Sequence, residues 1–133
     1  MEPFIDYGHQ NLFRVIRGQL PEEGRHDPGV LSLVYLMAGS EALRTLVSPY
    51  FDVDTGRFDW RRVVEQPNVP HELHVLLRLA VELHSGETGV LIMDLVEGLE
   101  EPYFSLALLA IRLRKQGIQS DLYNIGNHDM MIT

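Results

Sequence analysis

Apolar residues recur at the three- and four-residue spacing of an α-helix along most of this chain. Near the start, Leu12, Phe13, Ile16 and Leu20 fall on one stripe of a helix that we expect to begin at about Tyr7. Proline and glycine interrupt the pattern between such stretches, as in the segment PEEGRHDPG at residues 21 to 29. The periodicity therefore predicts an all-α protein.

Helix boundaries in the middle of the chain are marked by capping residues. Asp27 before Pro28 predicts the start of a helix that Gly39 closes, because aspartate accepts hydrogen bonds from the first turn and proline fits the first helical position. Ser40 and Asp59 are expected to cap two later helices. The connector FDVDTGRFDW before the second of these predicts a short hairpin or an Asx-type turn.

The most apolar helix is predicted near the end of the chain. From about residue 102 to 116 the sequence is apolar nearly all round, and Gly117 is its expected C-cap. We expect this helix to be the centre of a compact bundle of five to seven helices. Residues 1–117 then form a single helical domain, and residues 118–133 form a C-terminal arm or a short β-hairpin around Gly126 and Asn127.

Composition narrows the class of protein without indicating a reaction. The chain has 133 residues, 45% apolar and 23% charged, which suits one soluble domain, and no apolar run approaches the ~18 residues of a membrane span. The absence of cysteine excludes disulfides, thiolate metal sites and cysteine nucleophiles. A net charge of -8 disfavours nucleic acid as a partner. Because the N-terminus lacks the pattern of a secretory signal, we expect a cytoplasmic protein.

The stretch VPHELHVLLRLAVELH, residues 69 to 84, holds the strongest candidates for chemistry. Its leucines form a core stripe on a helical wheel, and His71 and His74 share the polar face, where they could bind a metal ion. The next position in that row is Arg78, whose cation repels a metal and is expected to pair with Glu82. The spacing also differs from the HExxH zinc motif. We therefore predict a solvated helix face, with a metal or general-base site at His71 and His74 as the alternative.

The connector before Trp60 begins like a calcium-binding loop. Asp52 and Asp54 occupy the first two ligand positions, but the glycine comes one position early and Val63 stands where the final glutamate belongs. An EF-hand is therefore excluded. A capped turn is expected, with a two-aspartate cation site as the alternative.

Five further residues are candidates for a protein-binding surface. Four acidic residues cluster before the last helix, and the single tryptophan heads an amphipathic turn; they are Asp94, Glu97, Glu100, Glu101 and Trp60. The ordinary alternative is a favourable electrostatic position before a helix for the acids and core packing for the tryptophan. Acid-base chemistry or magnesium binding is a further alternative for the carboxylates.

Four segments together resemble a known group of proteins. In order along residues 27–114, DPGVLSLVYLMAG, YFDVDTGRFDW, LLRLAVELHSG and LEEPYFSLALLAIRLR are similar to segments of an uncharacterised family of small all-helical bacterial proteins. The resemblance rests on core and capping residues. It implies an all-helical fold, and because the family has no assigned activity, it implies no catalytic residue.

The sequence contains no phosphate-binding loop, dinucleotide motif or nucleophile elbow. We therefore favour a small acidic protein without enzymatic activity or cofactor, which binds another protein as a regulator or inhibitor of the kind carried by bacteria and mobile elements. One alternative is a metal-dependent or hydrolytic enzyme with a histidine and carboxylate site. The other is a structural homodimer in which residues 118–133 pack on a neighbouring chain. Neither nucleic acid nor a membrane is expected as a partner.

Overall fold

The structure is a computed structural model that describes residues 3–117, so the predicted arm or hairpin of residues 118–133 lies outside the described residues. Seven α-helices, two 3-10 turns and one hairpin make up the described part: α1 Tyr7–Gln19, a turn Gly24–His26, α2 Pro28–Gly39, α3 Glu41–Val47, a turn Ser48–Tyr50, β1 Phe51–Asp52, β2 Arg57–Phe58, α4 Trp60–Val64, α5 His71–Ser85, α6 Ile92–Gly98 and α7 Tyr103–Gln116. The predicted all-α bundle is confirmed. Within residues 3–117, no helix has the length and apolar character that crossing a membrane requires.

The central helix of the bundle is α2. Every residue from Gly29 to Ala38 is buried, and α2 packs against α1, α5 and α7. This helix holds no charged side chain, so none of its faces favours contact with water. The prediction that the helix at about residues 102–116 is central is wrong, because α7 exposes Leu108, Ile111 and a basic last turn on its outer side.

α2 lies so close to α5 that there is no room for a side chain at Gly29. A Cβ atom built there would lie 2.7 Å from the carbonyl oxygen of His84, well inside van der Waals contact. Glycine therefore allows the start of α2 to touch the end of α5. This contact holds the last turn of α5 against the first turn of α2.

All three predicted helix starts are confirmed, and side-chain hydrogen bonds cap two of them. Oδ1 of Asp27 accepts a hydrogen bond from the N–H of Gly29 at 2.8 Å, and Oγ of Ser40 accepts one from the first turn of α3 at 3.1 Å. Asp59 makes no such bond at the start of α4. It forms an ion pair with Arg62 at 3.4 Å instead.

The connector between α3 and α4 contains both of the predicted alternatives. β1 and β2 pair antiparallel, with Phe51 opposite Phe58. At the tip, Oδ1 of Asp52 accepts from the N–H of Asp54 at 2.9 Å, which is the bond of an Asx turn. Gly56 closes the tip with a φ of +77°. The capped turn is therefore confirmed.

A buried histidine, which sequence analysis did not single out, fastens the N-terminal segment to α2. Nε2 of His9 lies 2.9 Å from the carbonyl oxygen of Tyr35, and the N–H of Ile5 donates to Nδ1 at 3.1 Å. The hydroxyl of Tyr35 in turn donates to the carbonyl of Pro3. Because Nδ1 accepts a hydrogen bond, the ring is neutral and carries its proton on Nε2. Burial lowers the pKa of His9, in agreement with this neutral state.

Candidate functional site

Four apolar side chains in and beside α6 are exposed to solvent. Leu91, Ile92, Met93 and Val96 are between 52% and 77% exposed, whereas Leu95 is buried. Single exposed apolar residues are common on soluble proteins, but four within six positions gather into a patch of the kind that marks interaction sites. We call these four residues the α6 face.

The connector before α6 is held to α5 by two charged side chains. The guanidinium of Arg78 donates to the carbonyl oxygen of Gly89 at 2.9 Å, and Oε1 of Glu82 accepts from the N–H of the same glycine at 2.7 Å. The predicted ion pair between Arg78 and Glu82 is therefore wrong, because each side chain binds the backbone of the connector instead. Together they fix the point from which α6 starts.

A second anchor lies directly after α6. Oε2 of Glu72 in α5 accepts a hydrogen bond from the N–H of Glu100 at 2.8 Å. Leu95 and Leu99 are buried in the core on the inner side of the same segment. Both ends of α6 are thus attached to α5. The α6 face is therefore already positioned in the free protein.

Two of the four acidic candidates act as helix caps. Oδ2 of Asp94 accepts from the backbone N–H three residues earlier at 3.1 Å, and Glu101 accepts two hydrogen bonds, each of 3.0 Å, from Ser105 in the first turn of α7. Glu97 and Glu100 are exposed. Capping therefore accounts for Asp94 and Glu101, and the exposed pair is available for contact with another molecule.

The sequence around the α6 face is negatively charged throughout. Residues 79–111 contain six acidic residues and neither lysine nor arginine, so this part of the chain carries -6 of the net charge of -8. The six are Glu82, Glu87, Asp94, Glu97, Glu100 and Glu101. A surface of one sign attracts partners of the opposite sign and speeds their association.

The structure does not complete a metal site around the two candidate histidines. His71 is exposed in the first turn of α5, and His74 is half-buried one turn later. Across residues 3–117, no three side chains of the His, Cys, Asp and Glu types come together in a way that could hold a metal ion. Among the described residues, Asp52 and Asp54 likewise gain no third side chain of these types.

Trp60 lies in α4 and contacts a different part of the bundle. Its ring is half-buried against the core, with the guanidinium carbon of Arg61 5.2 Å from the ring centroid. α4 packs mainly against α5 and the turn Ser48–Tyr50, whereas α6 packs against α5 and α7. This position agrees with the core-packing alternative for Trp60 and does not join it to the α6 face.

An open cleft of about 950 Å³ lies between the hairpin and the start of α2, with His84 in its wall. The ring of His84 stands edge-on to Phe58 at a centroid distance of 5.5 Å. Burial lowers the pKa of His84, and the nearby carboxylate of Asp27 opposes this. Nδ1 is buried without a hydrogen-bond partner among the described residues. No carboxylate among the described residues is hydrogen-bonded to the ring, although that of Asp27 is close enough to act on its pKa.

Sequence analysis named the acidic candidates but missed the α6 face. The signal was present in VLIMDLVEGL at residues 90 to 99, where apolar residues fall on more than one side of a short helix. One buried stripe cannot accommodate all of them. The absence of lysine and arginine from residues 79 to 111 was a second signal.

No protein-family model, no curated protein and no solved structure matches this chain. The resemblance of residues 27–114 to uncharacterised bacterial proteins therefore stays a prediction.

Proposed function

We propose that this chain is a small acidic binding protein, and that the α6 face docks on an apolar surface of another protein bordered by arginine and lysine. The observation that supports this most is the position of four exposed apolar side chains within a stretch that has six acidic residues and neither lysine nor arginine. In such a contact the apolar side chains supply affinity, and the carboxylates select a basic partner.

Burial of the α6 face by a partner would contribute favourable free energy to binding. A side chain of this size contributes roughly 1.5–3 kcal/mol when it passes from fully exposed to fully buried, and these four contribute less because each is already partly covered. The loss of translational and rotational freedom on association opposes this gain. The anchors at Gly89 and Glu100 hold α6 beforehand, so little further ordering of the helix is needed.

Glu97 and Glu100 are the acidic residues that we expect to face the partner, because their side chains are exposed. Asp94 and Glu101 already cap helices in the free protein. Replacing either capping residue would therefore disturb the helix as well as the contact, and these two residues are poor choices for a binding test.

The other two hypotheses gain no support from the described residues. An enzyme that uses His71 and His74 needs further ligands or an orienting carboxylate, and residues 3–117 bring no third metal-binding group to them. The homodimer that relies on residues 118–133 concerns a segment outside the described residues.

The test compares a variant of the α6 face with a control elsewhere on the surface. One replaces Ile92 and Met93 by serine on the α6 face, and the control replaces Val15 by serine in α1, where that side chain is also about half exposed. Proteins captured from a cell lysate by the wild-type chain are purified, and their binding is measured by calorimetry. We expect Kd to rise by about tenfold or more for the α6 variant and to be unchanged for the control.

Ionic strength provides a second readout for the same partner. Added salt should slow association with the wild-type chain, because screening weakens attraction between opposite charges. If every captured protein binds the α6 variant and the control equally well, the α6 face is not the docking surface.

A further inference from the structure

The outer side of α7 carries a second exposed apolar surface. Leu108 is 49% exposed and Ile111 is 37% exposed. Arg112 and Lys115 are exposed too, and the spacing of three and four residues places all four side chains on one face of the helix. This surface is therefore apolar and basic, whereas the α6 face is apolar and acidic.

An apolar groove of about 630 Å³ runs beside this part of α7. Phe4 and Ile5 of the N-terminal segment form one wall, and Pro102, Leu108 and Leu109 form the other. Ser105 and Arg112 complete its lining. We call this surface, together with Ile111 and Lys115, the α7 groove.

We propose that the α6 face of one molecule packs into the α7 groove of a second copy of this chain. The inference rests on the proposed function, since it uses the same α6 face and names a surface that can cover it. Exposed Ile92 and Met93 match the apolar walls of the groove in chemistry, and Glu97 would approach Lys115. The apolar parts of the two surfaces are therefore complementary, and so is the basic last turn of α7, whereas the acidic Glu101 precedes Pro102 at the other end of the groove.

Repulsion between like charges disfavours a symmetric contact between two α6 faces. That arrangement would bring Asp94 and Glu97 of both copies together, and like charges at an interface disfavour association. An α6 face in an α7 groove avoids this repulsion. Self-association would then compete with a foreign basic partner, because both cover the same four side chains.

Two exposed positions allow the contact to be broken from either side. Ile92→Asp adds a charge to the α6 face, and Leu108→Asp adds one to the α7 groove; Val15→Asp in α1 is the control for a charge at an exposed apolar position. Circular dichroism checks that each variant is folded. In analytical ultracentrifugation, the wild-type chain and the control should show a mass that rises with concentration, and each α6 or α7 variant alone should stay monomeric.

A mixture of the Ile92→Asp and Leu108→Asp variants tests whether the α6 face binds the α7 groove. Leu108→Asp molecules keep an intact α6 face and Ile92→Asp molecules keep an intact α7 groove, so the equimolar mixture should form a mixed dimer that neither forms alone. A wild-type chain that stays monomeric, a mixture that stays monomeric, or association lost in Ile92→Asp but kept in Leu108→Asp would each overturn the inference. The last result would indicate contact between two α6 faces.

The absence of cysteine from the chain permits an independent check of the same contact. Met93→Cys and Leu108→Cys, placed in separate molecules, should form a mixed disulfide faster than either variant forms one with itself. Equal rates in all three combinations would overturn the inference. Binding of a foreign partner by Leu108→Asp stays a test of the proposed function alone, because that substitution leaves the α6 face intact.

Discussion

Nε2 of His9 lies 2.9 Å from the carbonyl oxygen of Tyr35, across the contact between α1 and α2. The other ring nitrogen accepts a hydrogen bond from the backbone of Ile5. A protonated ring would carry a hydrogen on both nitrogens and could not accept that bond. The attachment of the N-terminal segment to the central helix therefore depends on a neutral imidazole.

We expect the free energy of unfolding to fall as the pH drops below about 6.5, the ordinary pKa of histidine. Burial lowers the pKa of His9 and of His84 in the folded chain, so in this range the unfolded chain binds protons that the folded chain does not. The contribution of these two histidines to the free energy of unfolding is fully present above that pH. It is lost as the pH falls toward their lowered folded pKa. Urea unfolding at a series of pH values measures the decline.

His9→Gln should reduce the slope of stability against pH in the acid range, because glutamine does not titrate. His26→Gln is the matched control, since His26 is exposed. A slope that is the same in His9→Gln as in the wild-type chain would show that protonation of His9 is not its cause.

Gly29→Ala should destabilise the chain by about 1–3 kcal/mol, the usual range for overpacking. The new Cβ would meet the carbonyl oxygen of His84 at 2.7 Å, and a backbone atom of a packed helix cannot move aside cheaply. Gly18→Ala in α1 is the control, because no atom lies within 4 Å of a Cβ built there. Since alanine favours helix, this control should leave stability unchanged or raise it slightly in thermal unfolding. Similar effects of both substitutions would contradict the close approach of α2 and α5.

Asp27→Ala should cost about 1 kcal/mol of stability, because it removes the hydrogen bonds that cap α2. Asp59→Ala is a fair comparison, since Asp59 precedes α4 but accepts no capping hydrogen bond. Its exposed ion pair with Arg62 should contribute less than about 0.5 kcal/mol. Chemical denaturation of the two variants measures the difference in the free energy of unfolding. Equal losses would show that the hydrogen bonds to Asp27 do not stabilise α2.

Glu82→Gln should speed hydrogen exchange at the amide of Gly89. The carboxylate of Glu82 accepts from that amide at 2.7 Å, and a neutral amide oxygen is a weaker acceptor. Exchange followed by NMR should change in the connector before α6 and stay constant in α2. Unchanged protection at Gly89 would show that the carboxylate does not hold the connector.

Local signals predicted most of the helices. Asp27 and Ser40 accept hydrogen bonds from the first turns of α2 and α3, as expected. These predictions succeed because a cap acts on residues only two or three positions away. Asp59 shows where such a prediction fails, since its carboxylate pairs with nearby Arg62 and does not accept a capping hydrogen bond.

Relations between distant residues could not be predicted in the same way. Periodicity shows that a helix has an apolar side but not which other helices cover it, so α7 was expected at the centre and the α6 face was missed. His9 bonds to a residue that lies 26 positions further on. Arg78 and Glu82 had the spacing of an ion pair, but the backbone of Gly89 lay within reach of both.

The uncharged character of α2 has a consequence for the newly made chain. α2 is synthesised well before α5 and α7, two of the helices that bury it. Until those helices emerge from the ribosome, a twelve-residue segment without a single charge is uncovered. Exposed apolar segments of this kind bind to one another or to chaperones. We therefore expect nascent chains that stop short of α7 to aggregate or to be held by chaperones.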